Sequence, residues 1–149
     1  MLNFATYTGG IAATNAYLVE APDGPILIDA PGGCADWIRS RGASVKALLL
    51  THQHFDHCLD AAQIADDHGC KVFSHSQLSI SLTLEEFFGA LGGSFAVRPF
   101  SAVEIGGDER LTAGGLAFEL IYLPGHSQDS LCFYHRESGT LFAGDTLMA

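Results

Sequence analysis

The sequence predicts a single α/β domain with a mixed sheet arrangement, on three observations. Val45 to Thr51 is a nearly continuous apolar run of the length expected for a strand buried on both faces. Strand-like and helix-like segments alternate through the first two thirds of the chain, as βαβ units require. After Pro99 the pattern turns to β-rich runs separated by Gly-rich turns. The 149 residues suit one domain, 1–149, and no composition shift, linker or internal repeat divides them.

Taken in order, Asn15 to Glu20 and Pro25 to Asp29 read as strands flanking Asp23-Gly24, a hairpin signal. Ala30-Pro31-Gly32-Gly33 breaks the chain, and Cys34 to Arg41 then reads as a short helix closed by Gly42. The buried strand Val45 to Thr51 follows. Leu59, Ala61, Ile64 and Ala65 recur at helical spacing until Gly69 stops the pattern. Lys71 to Ser74 reads as a short strand and Gln77 to Leu91 as one helix ended by Gly92-Gly93. Its Glu85-Glu86-Phe87-Phe88 run supplies a wet face and a buried face. Val103 to Ile105, Leu116 to Leu123, Leu131 to Tyr134 and Leu141 to Ala143 are the remaining strands.

Hydrophobic residues at 48% and charged residues at 16% exclude a disordered chain. Seven Lys plus Arg against 17 Asp plus Glu give a net charge of -10. That balance argues against nucleic acid and anionic lipid surfaces as partners, and leaves divalent cations open. Met1-Leu2-Asn3-Phe4 lacks a basic segment followed by an apolar stretch, and no apolar run reaches the length of a bilayer span, so the expected compartment is the cytoplasm. Cys34, Cys58, Cys70 and Cys132 lack Cys-x-x-Cys spacing and read as reduced thiols.

The chemistry concentrates in Thr51-His52-Gln53-His54-Phe55-Asp56-His57, directly after the buried strand. In an extended segment His52, His54 and Asp56 share one face, and His57 points away unless the chain turns. A helix starting at about Asp56 supplies that turn, so one loop can present ligands to two neighbouring metals. Neutral imidazoles and carboxylates suit Zn²⁺, Fe²⁺ or Mn²⁺. Pro124-Gly125-His126 and Gly144-Asp145-Thr146 place a further histidine and an aspartate just past strand ends, each behind a glycine that permits a sharp turn. Asp29, at a strand end, is either a turn residue or a support for a ligating histidine. His68, His75 and His135 lie outside these motifs and are expected to be structural or on the surface, and Cys58 to be a buried thiol.

These motifs, His52-Gln53-His54-Phe55-Asp56-His57, Pro124-Gly125-His126-Ser127 and Gly144-Asp145-Thr146, resemble those of the metallo-β-lactamase-fold hydrolases, most closely the glyoxalase II-like (hydroxyacylglutathione hydrolase) branch. Asn15-Ala16-Tyr17-Leu18-Val19 and Ile28-Asp29 are similar to that family's opening strands. The resemblance implies an αββα sandwich. It implies that His52, His54 and His126 bind one metal, that Asp56 and His57 contribute to a second, and that Asp145 bridges them. Zinc is the first expectation for the two ions, with iron or manganese as alternatives. A hydroxide shared by the metals would attack a small-molecule thioester or ester, with Asp56 orienting the nucleophile and taking its proton. Class B1 and B2 β-lactamases carry cysteine where Asp145 stands, so Asp145 argues against a β-lactam substrate. His54 argues against the flavodiiron branch.

Family members continue past the point matching Asp145, with further helices and strands and a last histidine ligand. The sandwich is therefore expected to be incomplete at the C-terminus, with the edge around Leu141 to Ala143 uncovered and open to self-association. Three other readings stay open. One is a persulfide dioxygenase with a single iron on His52, His126 and Asp145. Another is lactone or phosphodiester hydrolysis by the same dinuclear site. The last is a metal-binding fragment without catalysis of its own. Arg98, Arg110 and Arg136 are scattered, and no basic cluster is apparent for glutathione carboxylates.

Overall fold

Side-chain alternation in three short central strands sets the layers. In the computed structural model, which describes residues 1–93 and 95–147, these are β3 (Ile26–Ile28), β4 (Ala47–Leu49) and β5 (Lys71–Ser74). Leu27, Leu48 and Val72 face one way into a core with helices α1 (Cys34–Ser40) and α3 (Ala61–His68), through Cys34, Ala35, Ile38, Ala61 and Ile64. Ile26, Ile28, Ala47 and Leu49 face the other way, into a second core with Phe118, Leu131, Phe133 and Phe142. A strand apolar on both faces is what this double burial needs.

The first sheet has the order β1-β2-β3-β4-β5-β6, with β1 (Phe4–Gly9), β2 (Thr14–Val19) and β6 (Ala102–Glu104). The β1–β2–β3 pairings are antiparallel, and those from β3 to β6 are parallel. The second sheet is antiparallel, in the order β10-β9-β8-β7: β10 (Thr140–Phe142), β9 (Leu131–His135), β8 (Leu116–Tyr122) and β7 (Arg110–Ala113). Helices, mixed sheet and second sheet make three of the four layers of the expected sandwich. Among the described residues no helix follows β6. None there is long and apolar enough to cross a membrane.

Several expectations are corrected. Strands β1 and β7 were not expected. The alternate residues of β1 are half-buried at most, and Arg110 to Ala113 is too short and mixed for a periodic signal. The run Val45 to Thr51 is a strand only over Ala47–Leu49, because Thr51 turns aside to join the second sheet through a hydrogen bond from Leu131 N–H to its carbonyl at 2.8 Å. The single helix expected over Gln77 to Leu91 is two short ones, α4 (Ile80–Thr83) and α5 (Glu85–Gly89). Leu84 breaks it with a left-handed φ of 60°, a conformation that costs a branched side chain roughly 1–2 kcal/mol. The helix-period pattern is continuous across Leu84, so the break is a tertiary effect.

All the segments expected to carry ligands leave the C-terminal ends of strands at one edge of the sandwich, where ligands gather in α/β sheets. Truncating Leu49, which is fully buried between the two sheets, is expected to cost about 2–5 kcal/mol. Urea unfolding of Leu49→Ala measures this. A loss below 1 kcal/mol would show that the two sheets do not share a packed core there.

Candidate metal centre

The loop after β4 carries the site. His52 and Gln53 are buried, and at His54 (φ -53°, ψ 139°) the chain turns into α2 (Phe55–Cys58). The turn expected near Asp56 thus begins one residue earlier, and it returns His57 to the side of His52, their rings 4.1 Å apart. His126 arrives from the β8–β9 connection. Its ring lies 4.6 Å from that of His54 and 5.1 Å from that of His52. Ligand atoms of His52, His54 and His126 all fall within 4.8 Å of one another, as do those of His52, His57 and Asp145. Asp145 Oδ2 lies 3.1 Å from His57 Nε2, 3.2 Å from His126 Nε2 and 3.8 Å from His52 Nε2, between the two groups. Asp56 stands outside both groups. Its Oδ2 is 3.4 Å from His57 Nε2 and accepts a 2.6 Å hydrogen bond from the Thr14 hydroxyl.

Of the two glycines expected to permit these turns, one does. Gly144 has a φ of 55°, and a Cβ there would lie 2.5 Å from Thr51 Oγ1, so only glycine lets the Asp145 turn approach so closely. At Gly125 a Cβ would meet nothing within 4 Å, and no steric need for glycine exists.

Asp29 supports the ligands from below. Its buried carboxylate accepts hydrogen bonds from Thr51 N–H at 2.8 Å and the Thr51 hydroxyl at 2.7 Å, and contacts His57 Nδ1 at 2.8 Å. With the Thr51 proton directed to Asp29, Thr51 Oγ1 is free to accept from His52 Nδ1, 3.0 Å away. That assigns the proton of His52 to Nδ1 and leaves a lone pair on Nε2.

Asp129, which the sequence reading missed, ties the two histidine-bearing loops together. It is buried, accepts from Gln53 N–H at 2.9 Å, and accepts from the Ser127 hydroxyl. The Gln53 side chain in turn donates to the carbonyls of Ser76 and Gln77 and accepts from Ser79 N–H. Gln53 and Ser127 lie inside the sequence motifs, but only the fold shows that Asp129 joins them.

Charge is distributed unevenly. Burial, reinforced by neighbouring His57 and His54, pushes His52 well below the ordinary histidine value, so it is neutral. Burial and the nearby His126 also lower His54. Burial opposes charge on His57 as well. Asp29, hydrogen bonds to Asp145 and Asp29, and the charge of Asp56 outweigh it and raise His57 to about 10. The His57 hydrogen bond holds Asp145 down to about 2.

The donor set fits a divalent metal. His52 Nε2 is buried with no hydrogen-bond partner among the described residues, a costly arrangement for a lone pair with nothing to bind. His52 is also the residue shared by both ligand groups. The other histidines are accounted for as expected. His68 Nδ1 receives Val45 N–H at 3.3 Å, His75 stacks on Tyr122, and His135 bonds Ser138. Cys58 is a buried thiol, pushed well above its ordinary value by burial. Arg98 pairs with Asp66 and Arg136 with Glu119 on the surface.

Residues 9–149 match the Metallo-beta-lactamase superfamily. The chain is similar to a probable metallo-hydrolase, YqgX, of Bacillus subtilis (strain 168), at 28% identity over 93% of this chain and 68% of that protein. It is also similar to a hydroxyacylglutathione hydrolase of Idiomarina loihiensis, at 28% identity over 85% of this chain and 43% of that one. Among solved structures, TTHA1623 in a di-iron-bound form matches with a TM-score of 0.82 and 31% identity, over 97% of this chain and 73% of that one. The BLEG-1 B3 metallo-beta-lactamase matches with a TM-score of 0.80 and 26% identity, over 99% and 74%.

Two outcomes are expected. Asp129→Ala leaves Gln53 N–H buried without a partner. It should lower stability by about 1–3 kcal/mol in urea and weaken metal binding about 10–100-fold; unchanged metal affinity would show that the two loops hold each other without it. The second concerns pH. The folded value of His57, about 10, exceeds its ordinary 6.5, so its stabilisation of the metal-free protein is fully present below pH 6.5 and lost as pH rises through about 10. A zinc ion held by His57, as the sequence leads one to expect, would displace that proton, so zinc affinity should climb over the same window. Calorimetry in buffers of different ionisation enthalpy counts the protons released. None released at pH 7.5 would place His57 outside the metal centre.

Proposed function

The chain belongs to the metallo-β-lactamase superfamily, and on that premise we propose that it is a metal-dependent hydrolase cleaving a thioester or related ester at a two-metal centre. The observation that carries this reading is the buried, unpartnered Nε2 of His52 at the junction of two ligand groups, with Asp145 Oδ2 between them. Two overlapping donor groups favour two ions over one. His52, His54 and His126 would hold the first, and His57 and Asp145, with Asp56 beside them, the second. Imidazole and carboxylate suit zinc, iron or manganese. Such ions, when bound, supply a nucleophilic water at neutral pH and polarise the carbonyl.

The residues of this chain do the rest. Asp29 and Thr51 fix the tautomer of His52, and Asp29 holds His57 through Nδ1, so both present Nε2 to the centre. Thr14 fixes Asp56 through one carboxylate oxygen and leaves the other able to take the proton of the attacking water. Asp56 borders the cavities on both sides of the centre, which suits that task. A thiolate leaving group needs little protonation, which is the chemical reason to place thioesters first. The likeness to a hydroxyacylglutathione hydrolase supports the same class.

Metal content by mass spectrometry on protein purified without added metal, followed by thioester hydrolysis with and without chelator, tests the proposal. Two equivalents of metal and chelator-sensitive hydrolysis are expected, with kcat reduced roughly 10²–10⁴-fold in Asp56→Asn. One equivalent of iron, with oxygen uptake on glutathione persulfide and no thioester hydrolysis, would overturn it in favour of a dioxygenase.

A further inference from the structure

An apolar cavity of about 390 Å³ opens on the candidate metal centre, at the small end of the range for small-molecule sites. Its floor is polar: His54, His126, Asp56 and Asp145. Its walls are Ile11 and Ala12 from the β1–β2 turn, Leu84 and Phe88 from α4–α5, and Phe55 and Phe95. The three phenylalanines form one aromatic cluster, with Phe55 4.9 Å from Phe88 and 4.7 Å from Phe95. Among the described residues no lysine or arginine lines this cavity or its neighbour across Asp56 and Asp145.

Two features show that the walls are placed at a cost. Ile11 is 74% exposed and Leu84 37% exposed, so both hold apolar surface to water at the mouth of a polar site. The chain also accepts left-handed backbone at non-glycine residues in three places only among those described: Ala13, Asp29 and Leu84. All three surround this centre. Asp29 lies beneath the ligands, Ala13 follows the wall residues Ile11 and Ala12, and Leu84 is itself a wall. Strain kept at such positions marks a site that the surrounding structure over-determines.

We propose that the group attached to the scissile carbonyl is apolar and uncharged, a short alkyl chain or an aromatic ring, and that it occupies this cavity, with Ile11, Leu84 and Phe88 determining specificity. The proposal rests on the hydrolytic reading above and narrows it. Apart from the metals themselves, the described lining offers an anionic acyl group no lysine or arginine to pair with, in a chain of net charge -10. An apolar group meets aromatic and aliphatic walls beside the residues that would hold the metal. An apolar group bound there would cover the Ile11 and Leu84 side chains at the mouth.

The test compares N-acetylcysteamine thioesters of acetate, butanoate, hexanoate, phenylacetate and succinate on the metal-loaded protein. kcat/KM should rise up to about fourfold per added methylene, the full transfer value of a buried CH₂, and succinyl should fall at or below acetyl. Ile11→Ser and Leu84→Asn should lower the hexanoyl-to-acetyl ratio severalfold. Asparagine accepts left-handed backbone, so Leu84→Asn removes the apolar wall without adding strain. Primary amides from acetamide to hexanamide and phenylacetamide, titrated into the same protein and followed on the Ile11 and Leu84 methyl resonances by NMR, read the cavity without any reaction. Hydrolysis with a flat series, or with succinyl preferred, overturns the cavity assignment and leaves the hydrolase standing. Ordered amide binding without hydrolysis of any ester overturns the hydrolase and leaves an apolar ligand cavity. A flat amide series overturns the cavity assignment whatever the activity.

Discussion

The Asp29 carboxylate is the constraint on which the site depends. It sits at the end of β3 with a left-handed φ of 61° and is almost fully buried. A buried carboxylate is tolerated only when hydrogen bonds satisfy it, and here the donors come from two other segments. Thr51 reaches it with backbone and hydroxyl from the end of β4, and His57 with Nδ1 from α2. Three segments that the parallel pairing brings side by side are thus joined at one group, and two imidazoles are oriented by it. The backbone follows the same plan: Asp29 N–H donates to the Leu49 carbonyl, and Ala30 N–H to that of His57.

Electrostatics above that support explain why imidazoles and carboxylates can be crowded together. His52 is neutral because burial and the other histidines forbid its charge, whereas His57 is charged because Asp29, Asp145 and Asp56 surround it. The proton on His57 occupies, in the metal-free protein, the place of positive charge that the carboxylates require. A divalent ion satisfies the same carboxylates and also the lone pair of His52 that the proton leaves unpartnered. With His57 holding the metal as proposed, stability of the apo fold and metal affinity would be coupled through that one residue, with opposite dependence on pH.

The two sheets contribute differently. The first supplies the ligand loop and its support at the ends of β3 and β4. The second supplies His126 and Asp145, and Asp129 locks its loop to Gln53. The apolar cavity lies at the same edge, walled by the β1–β2 turn and by the broken helix α4–α5. Apart from Phe55, which stands between His54 and Asp56, the apolar wall thus comes from parts of the chain that do not carry the polar floor.

By itself the sequence marked the candidate ligand motifs and determined the layer class. The spacing in His52-Gln53-His54-Phe55-Asp56-His57 is local, and a strand apolar on both faces leaves a continuous run of the kind seen from Val45 to Leu50. Tertiary structure decided which groups serve those ligands. Thr14, Thr51, Asp129 and Ser127 are ordinary polar residues whose roles exist only because distant segments meet, and no local period marks them. Strands β1 and β7 lay below detection because edge strands need not alternate cleanly between buried and exposed positions. Leu84 broke a helix that its neighbours' pattern favours, because backbone strain is set by packing around a residue and not by the residue's own preference.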